Sequence, residues 1–203
     1  MRTALYVLFG YLSGSVLYAR VSARLLHREE ALNRAEDQNP GAFNAFALGG
    51  FWCGVMTLLG DLAKGFLPVF FYCRRPFPPV WPLALVLAAP VVGHVLPVFF
   101  HFHGGKGIAT SFGVLMGLFP ELRPVMALAA VFILFAAVIR VTPNFACTIV
   151  SYLVATAVMW LLPVLPGVQM GFTIIAAVIC MRLHASREAR EKARVKWLWT
   201  PCS

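Results

Sequence analysis

From Val80 to Phe100 the chain carries a single ionisable side chain, His94, among otherwise apolar residues. A helix of that length rises about 30 Å, which matches the hydrocarbon core of a bilayer. Backbone polar groups cannot be left unpaired in lipid, so a segment of this kind crosses as a helix. Similar runs recur, and the expected spans are 3–19, 51–72, 80–100, 107–119, 124–139, 145–162 and 167–183. They predict an all-α integral membrane protein of seven transmembrane helices, one domain over 1–203. Composition points the same way. The chain is 60% hydrophobic and 12% charged, where a soluble domain has about 45–50% and about 25%.

The net charge of +9 does not point to nucleic acid, because the basic residues gather at the ends of the apolar runs. The 107–119 run is short for a span, and charge placement decides how to read it. If it crosses, the polar 20–50 loop and the basic 184–203 tail share one side. That side then holds twelve of the Lys and Arg residues, against four on the other: Arg2, Arg74, Arg75 and Arg123. The positive-inside rule puts the richer side in the cytoplasm and the N-terminus outside. The first run, broken by Ser13-Gly14-Ser15, lacks a small-x-small cleavage site and is kept as a span. The cysteines at 53, 73, 147, 180 and 202 form no CxxC pair and read as small packing residues. Glycine pairs four apart (10/14, 50/54, 113/117, 167/171) read as sites of close helix approach.

Within this apolar frame, a few polar residues carry chemistry. The stretch from His94 to Gly107, HVLPVFFHFHGGKG, ends in three glycines around Lys106 and runs into the apolar segment beginning at Ile108. Glycines let backbone N–H groups converge, and the first turn of a helix favours an anion. Lys106 adds a full positive charge. Phosphate recognition uses these parts, and so does a plain glycine turn with an interfacial lysine. The loop is not a Walker A loop, because Gly107 stands where Ser or Thr would hold magnesium. Asp61 and Lys64 lie three apart in the second run. They either pair to fix the bundle or line a site within it. Asn39-Pro40-Gly41-Ala42-Phe43-Asn44 reads as a turn with two side-chain amides. His184 follows the last span between Arg182 and Arg187. His94, His101 and His103 have no Cys or second carboxylate at ligand spacing, so no metal site is expected.

These segments together resemble the bacterial acyl-phosphate:glycerol-3-phosphate 1-acyltransferase family. Tyr11-Leu12-Ser13-Gly14-Ser15 is similar to its first motif, and Gln38–Asn44 to its GSGNxGATN loop. Gly60-Asp61 through Lys64-Gly65 resembles DxxKG. Gly93 to Thr110 resembles GHxxPxFxxFxGGKGxAT, and Arg182-Leu183-His184 its C-terminal Arg-His segment.

The resemblance implies a seven-span enzyme of phospholipid synthesis in the bacterial inner membrane, with its site on the cytoplasmic side. The reaction implied is transfer of an acyl chain from acyl-phosphate to glycerol 3-phosphate, giving lysophosphatidic acid and phosphate. No cofactor, metal, nucleic acid or obligate protein partner is implied; the partners are the two substrates and membrane lipids. Lys106 and His184 are the implied catalytic residues. Asn39, Gly41, Asn44, Gly104, Gly105, Lys106 and Gly107 are implied to bind substrate phosphate. Ser13, Ser15, Asp37, Asp61, Lys64, His94, Thr110, Arg182 and Arg187 are the further site-lining candidates. There is no Gly-x-Ser-x-Gly elbow for a covalent intermediate, and an acyl-phosphate, already activated, needs none. The second motif departs from the family. Asp37 replaces its serine, Phe43 its threonine and Ala47 its arginine. That pattern leaves open a homologue with another acceptor, or a non-catalytic lipid- or phosphate-binding membrane protein.

Overall fold

The computed structural model describes residues 1–35, 39–74, 79–186 and 194–195. It is helical apart from one short antiparallel pair of strands, β1 (Val141–Thr142) and β2 (Arg194–Val195). The helices are α1 (Arg2–Gly14), α2 (Tyr18–Leu25), α3 (Glu29–Asn33), α4 (Ala42–Gly49), α5 (Phe51–Cys73), α6 (Val80–Val95), α7 (Ile108–Met116), α8 (Arg123–Ile133), α9 (Asn144–Leu161) and α10 (Pro166–His184). A 3-10 turn at Val98–Phe100 extends the α6 run, and a π-helical turn at Leu134–Val138 extends α8.

Among the described residues, α5, α9, α10 and the α6 run to Phe100 are long and apolar enough to cross a membrane. The bent pair α1 and α2 makes a fifth. The expected span 3–19 is therefore not one straight helix. It stops at Gly14, and α2 leaves at a 44° bend. Serine hydroxyls at the break compete for backbone carbonyls: Ser15 Oγ donates to the Tyr11 carbonyl at 2.8 Å. The 107–119 run is helical only over α7, nine residues. The 20–50 segment contains α2, α3 and α4.

α6 is the axis of the bundle. Leu83, Val86, Leu87 and Val91 on it are buried in the main core, with Tyr152 of α9 and Phe172 and Ile175 of α10. α1 and α10 pack on α6, and α7 packs on α5. Lipid supplies no hydrophobic drive between helices, so close backbone approach has to supply the contact. A Cβ on Gly113 would lie 2.1 Å from the Leu62 carbonyl oxygen, and one on Gly14 2.1 Å from that of Pro90. The small-residue spacing is thus used for packing at 10/14, 113/117 and 167/171. Gly50 differs. It has open space around it and φ of 88°, and it is the turn between α4 and α5. Outward, Leu5, Trp52, Leu59, Trp81, Leu153 and Met181 are exposed, an apolar belt suited to lipid.

α2 sits on α5 through hydroxyls. Ser22 Oγ and Thr57 Oγ1 are 2.7 Å apart, and Thr57 Oγ1 donates to the Cys53 carbonyl at 2.7 Å. Ala19, Ala23, Leu32, Ala45 and Cys53 form a second, smaller core there. It fixes α2 to α4 beside the glycine-rich loop.

Candidate active site

The loop after α6 carries the site. His101 and Phe102 both adopt left-handed backbone angles, φ 51° and 61°, which few non-glycine residues take. The chain then turns back, and the Gly105 N–H donates to the His94 carbonyl at 3.1 Å. Gly104 is gripped from the far side, where Arg182 Nη2 of α10 donates to its carbonyl at 2.8 Å. No side chain fits at Gly105. A Cβ there would lie 2.2 Å from His94 Nε2 and 3.2 Å from Asn39 Oδ1. Gly107, at φ 81°, makes the left-handed step into α7. The N-cap residue, Gly107, has no side chain to cap α7, and the helix's first N–H groups and the positive end of its dipole lie next to Lys106.

Asn39 and Asn44 bring in the second loop. Both are buried, and Asn44 Nδ2 donates to the Asn39 carbonyl at 2.9 Å. The Gly41 N–H donates to the same carbonyl at 2.9 Å, closing the turn before α4. Asn39, His94, Gly104, Gly105 and Arg182 therefore converge from three separate parts of the chain.

Beneath them lies a buried charged cluster. Lys64 Nζ is 2.7 Å from Asp61 Oδ1, 2.6 Å from His94 Nδ1 and 2.8 Å from the Val16 carbonyl oxygen. All three side chains are at most 3% exposed. The i, i+3 pair seen in the sequence thus has a third member, His94, which sequence spacing could not supply.

The two serines of the first motif serve the frame. Ser13 Oγ donates to the Lys64 carbonyl at 3.2 Å, and Ser15 Oγ accepts from the Val98 N–H at 3.3 Å. Tyr11, absent from the sequence-derived candidates, donates from its hydroxyl to the Leu96 carbonyl at 2.9 Å. Its place in the Tyr-Leu-Ser-Gly-Ser run was the available signal. Thr110 is buried on the α5 side of α7, where the Gly65 backbone meets its carbonyl. Its hydroxyl has no hydrogen-bond partner among the described residues. Lys106 is half-buried, and His184 is exposed at the end of α10, two residues beyond Arg182. Asp37 and Arg187 lie outside the described residues. No cluster of three or more His, Cys, Asp or Glu able to hold a metal occurs among the described residues.

This arrangement sits on a sequence that matches the family model described as glycerol-3-phosphate acyltransferase over residues 4–192. The chain belongs to this family.

Relatives named glycerol-3-phosphate acyltransferase show how far the likeness reaches. That of Pseudomonas paraeruginosa is 34% identical over 182 residues, 90% of this chain and 92% of the relative. That of Klebsiella pneumoniae is 42% identical over 121 residues, 60% of this chain and 58% of that protein's length. The fold is similar to the crystal structure of PlsY (YgiH), an integral membrane glycerol 3-phosphate acyltransferase, in its glycerol 3-phosphate form. The TM-score is 0.77 at 28% identity, covering 91% of this chain and 89% of that one. The lysophosphatidic acid form gives 0.75 at 27% identity, covering 90% and 88%.

Within this family the chain differs on α4. Phe43 and Ala47, at the positions of the family's threonine and arginine, are both exposed, and neither side chain offers a donor to phosphate. A separate cleft of about 260 Å³ lies between α2, α3 and the 3-10 turn, lined by Arg20, Arg24, Glu29 and Phe100. None of the sequence-derived site residues lines it.

Proposed function

We propose that this chain is a membrane acyltransferase of phospholipid synthesis, moving an acyl chain from an acyl-phosphate to the 1-hydroxyl of glycerol 3-phosphate. The observation that carries the proposal is the Gly104–Gly107 loop. It is clamped by His94 and Arg182, opens into the N-terminus of α7 through Gly107, and carries Lys106 at the same point. Such a cradle holds a phosphate in a site that lipid helps to dry, where each fixed donor acts more strongly than in water.

In this reading Lys106 and the N–H groups of Gly107 and the first turn of α7 hold the phosphate of the acyl donor. Negative charge accumulates on that phosphate as the acyl C–O bond breaks, and Lys106 stabilises it. The acceptor hydroxyl oxygen forms the new bond to the acyl carbon. Its proton passes to His184, at the end of the helix that grips Gly104. Asn39, Gly41 and Asn44 orient the phosphate of the acceptor. The acyl chain lies along the apolar outer face of the bundle. The products are lysophosphatidic acid and inorganic phosphate.

We assign seven crossings to this chain, counting α7 and the α8 run as short spans, with the N-terminus outside and the site at the cytoplasmic face of the inner membrane. The support is the distribution of Lys and Arg between the two ends of the bundle. Single cysteines at Arg24 and Arg123, in a background with the five native cysteines replaced, test this in intact cells. A membrane-impermeant maleimide should label only the Arg123 position. Labelling at Arg24 from outside overturns the orientation.

The activity is tested with purified protein in detergent, palmitoyl-phosphate and glycerol 3-phosphate. Wild type should form lysophosphatidic acid, and Lys106→Ala should lose about 100-fold to 1,000-fold in kcat/KM, the usual effect of removing one transition-state donor. Absence of transfer to any phosphorylated polyol overturns the proposal.

A further inference from the structure

The Asp61–Lys64–His94 cluster is far more ordered than a bundle-fixing ion pair requires. A buried ion pair recovers little of its desolvation penalty, and well-packed apolar residues often serve stability equally well. Here the ammonium makes three polar contacts, to Asp61, to His94 Nδ1 and to the Val16 carbonyl. His94 belongs to another helix, 30 residues away.

The hydrogen positions follow from chemistry. An ammonium has only donors, so His94 Nδ1, 2.6 Å away, must accept. The proton of the neutral imidazole is therefore on Nε2, and that edge of the ring faces Gly105 and the Asn39 amide. The same residue accepts the Gly105 N–H on its carbonyl. His94 thus meets the glycine loop twice, by ring and by backbone, while Lys64 fixes the ring's rotation and tautomer.

We propose that Asp61 and Lys64 are positioning residues that act through His94. They lock its Nε2–H edge against Gly105 and so set where the Gly104–Gly107 backbone and Asn39 meet the phosphate. Asp61 orients the Lys64 ammonium, the ammonium holds His94 Nδ1, and His94 braces the loop. None of the three exchanges a proton with substrate. The catalytic consequence rests on the acyl-transfer reading of the site. The tautomer and its dependence on Lys64 do not.

The test uses Lys64→Met, and Asp61→Leu with Lys64→Met, which removes both charges in case the single variant leaves Asp61 unpaired and fails to fold. Nitrogen NMR of ¹⁵N-histidine protein in detergent should show His94 as a single Nε2–H tautomer in wild type and as a mixture in either variant. An unchanged tautomer overturns the proposal. In acyl transfer, loss of loop placement should lower kcat/KM by about 100-fold, the scale of an ångström-level misplacement, while the melting temperature of the double variant stays near wild type. A double-mutant cycle then pairs the charge-free variant with Gly105→Ala. If Lys64 acts through His94 on Gly105, the combined variant loses no more than the worse parent. Multiplied losses overturn the proposal. A wild-type protein without acyl transfer counts against the proposed reaction, and the NMR readout still decides the positioning chain.

Discussion

Arg182 Nη2, in the last turn of α10, donates to the Gly104 carbonyl oxygen at 2.8 Å. The residues are 78 apart in sequence, and this bond ties the final long helix to the glycine loop. A charged donor to a part-buried carbonyl is worth about 1.5–3 kcal/mol when lost. Arg182→Gln should therefore lower kcat/KM for acyl transfer by about 10-fold to 100-fold. Arg182→Lys keeps the charge but has no planar fork to reach the same carbonyl, so it should recover only part of the activity. Steady-state kinetics on both variants check this. Wild-type kinetics for Arg182→Gln would show that the loop holds its shape without α10.

The packing glycines make a sharper structural prediction. A Cβ on Gly113 would fall 2.1 Å from the Leu62 carbonyl oxygen, so α7 must move off α5 to accept it. Overpacking of this kind costs about 1–3 kcal/mol. Gly113→Ala should therefore melt well below wild type in detergent and lose activity, because α7 begins at the glycine loop. Gly50→Ala meets no neighbour, but φ of 88° and ψ of 174° are closed to alanine, at a cost of about 1–3 kcal/mol. It should also melt below wild type, from backbone strain rather than a clash, and keep the transfer rate. A Gly113→Ala protein with wild-type melting and full activity would contradict the close crossing of α5 and α7.

Much of this was legible in the sequence, because lipid-facing helices and glycine loops have local signatures. The α6 run, the glycine loop with Lys106 and the i, i+3 pair of Asp61 and Lys64 all follow from composition or short spacing. What was not legible depends on contacts between distant segments. His94 was a candidate lining residue, but its role as the third member of a buried cluster depends on α5 and α6 lying side by side. Ser13 and Ser15 were candidate lining residues too. Their hydroxyls bond the Lys64 carbonyl and the Val98 N–H, contacts that no spacing in the sequence could give. The Ser13-Gly14-Ser15 interruption was visible in the first run, but not the 44° bend it makes there, because that depends on the Ser15 hydroxyl turning back to Tyr11.

The altered face of α4 gives a gain-of-function prediction. Ala47 is exposed and stands where the family carries arginine. Ala47→Arg adds a guanidinium that can bond phosphate through two parallel N–H groups. At about 1.5 kcal/mol for one charged hydrogen bond, KM for glycerol 3-phosphate should fall by about 10-fold with kcat little changed. An acceptor series run in parallel decides a second point. If another phosphorylated polyol is preferred by wild type and Ala47→Arg shifts that preference to glycerol 3-phosphate, α4 sets acceptor choice. An unchanged KM would show that the missing arginine is replaced elsewhere in the chain.

The turn before α8 offers a pH test away from the site. Glu121 Oε1 accepts the Arg123 N–H at 3.1 Å and its Nε at 2.7 Å, with a further contact from Arg123 Nη2 to Glu121 Oε2. These hydrogen bonds hold the Glu121 carboxyl below the ordinary glutamate range. The sign follows from linkage. A carboxyl whose pKa is lower in the folded state stabilises the fold above its unfolded pKa, near 4.5, and that stabilisation fades as pH falls through the lower folded value. The pair is largely exposed, so its worth at neutral pH is under about 1 kcal/mol. Glu121→Gln should thus melt slightly below wild type at pH 7, and the gap should close as the solution is acidified below about pH 4.5. Melting both proteins in the same detergent across pH 3 to 7 measures it. A gap that widens on acidification would mean that Glu121 is stabilised in its protonated form, contrary to the geometry of the turn.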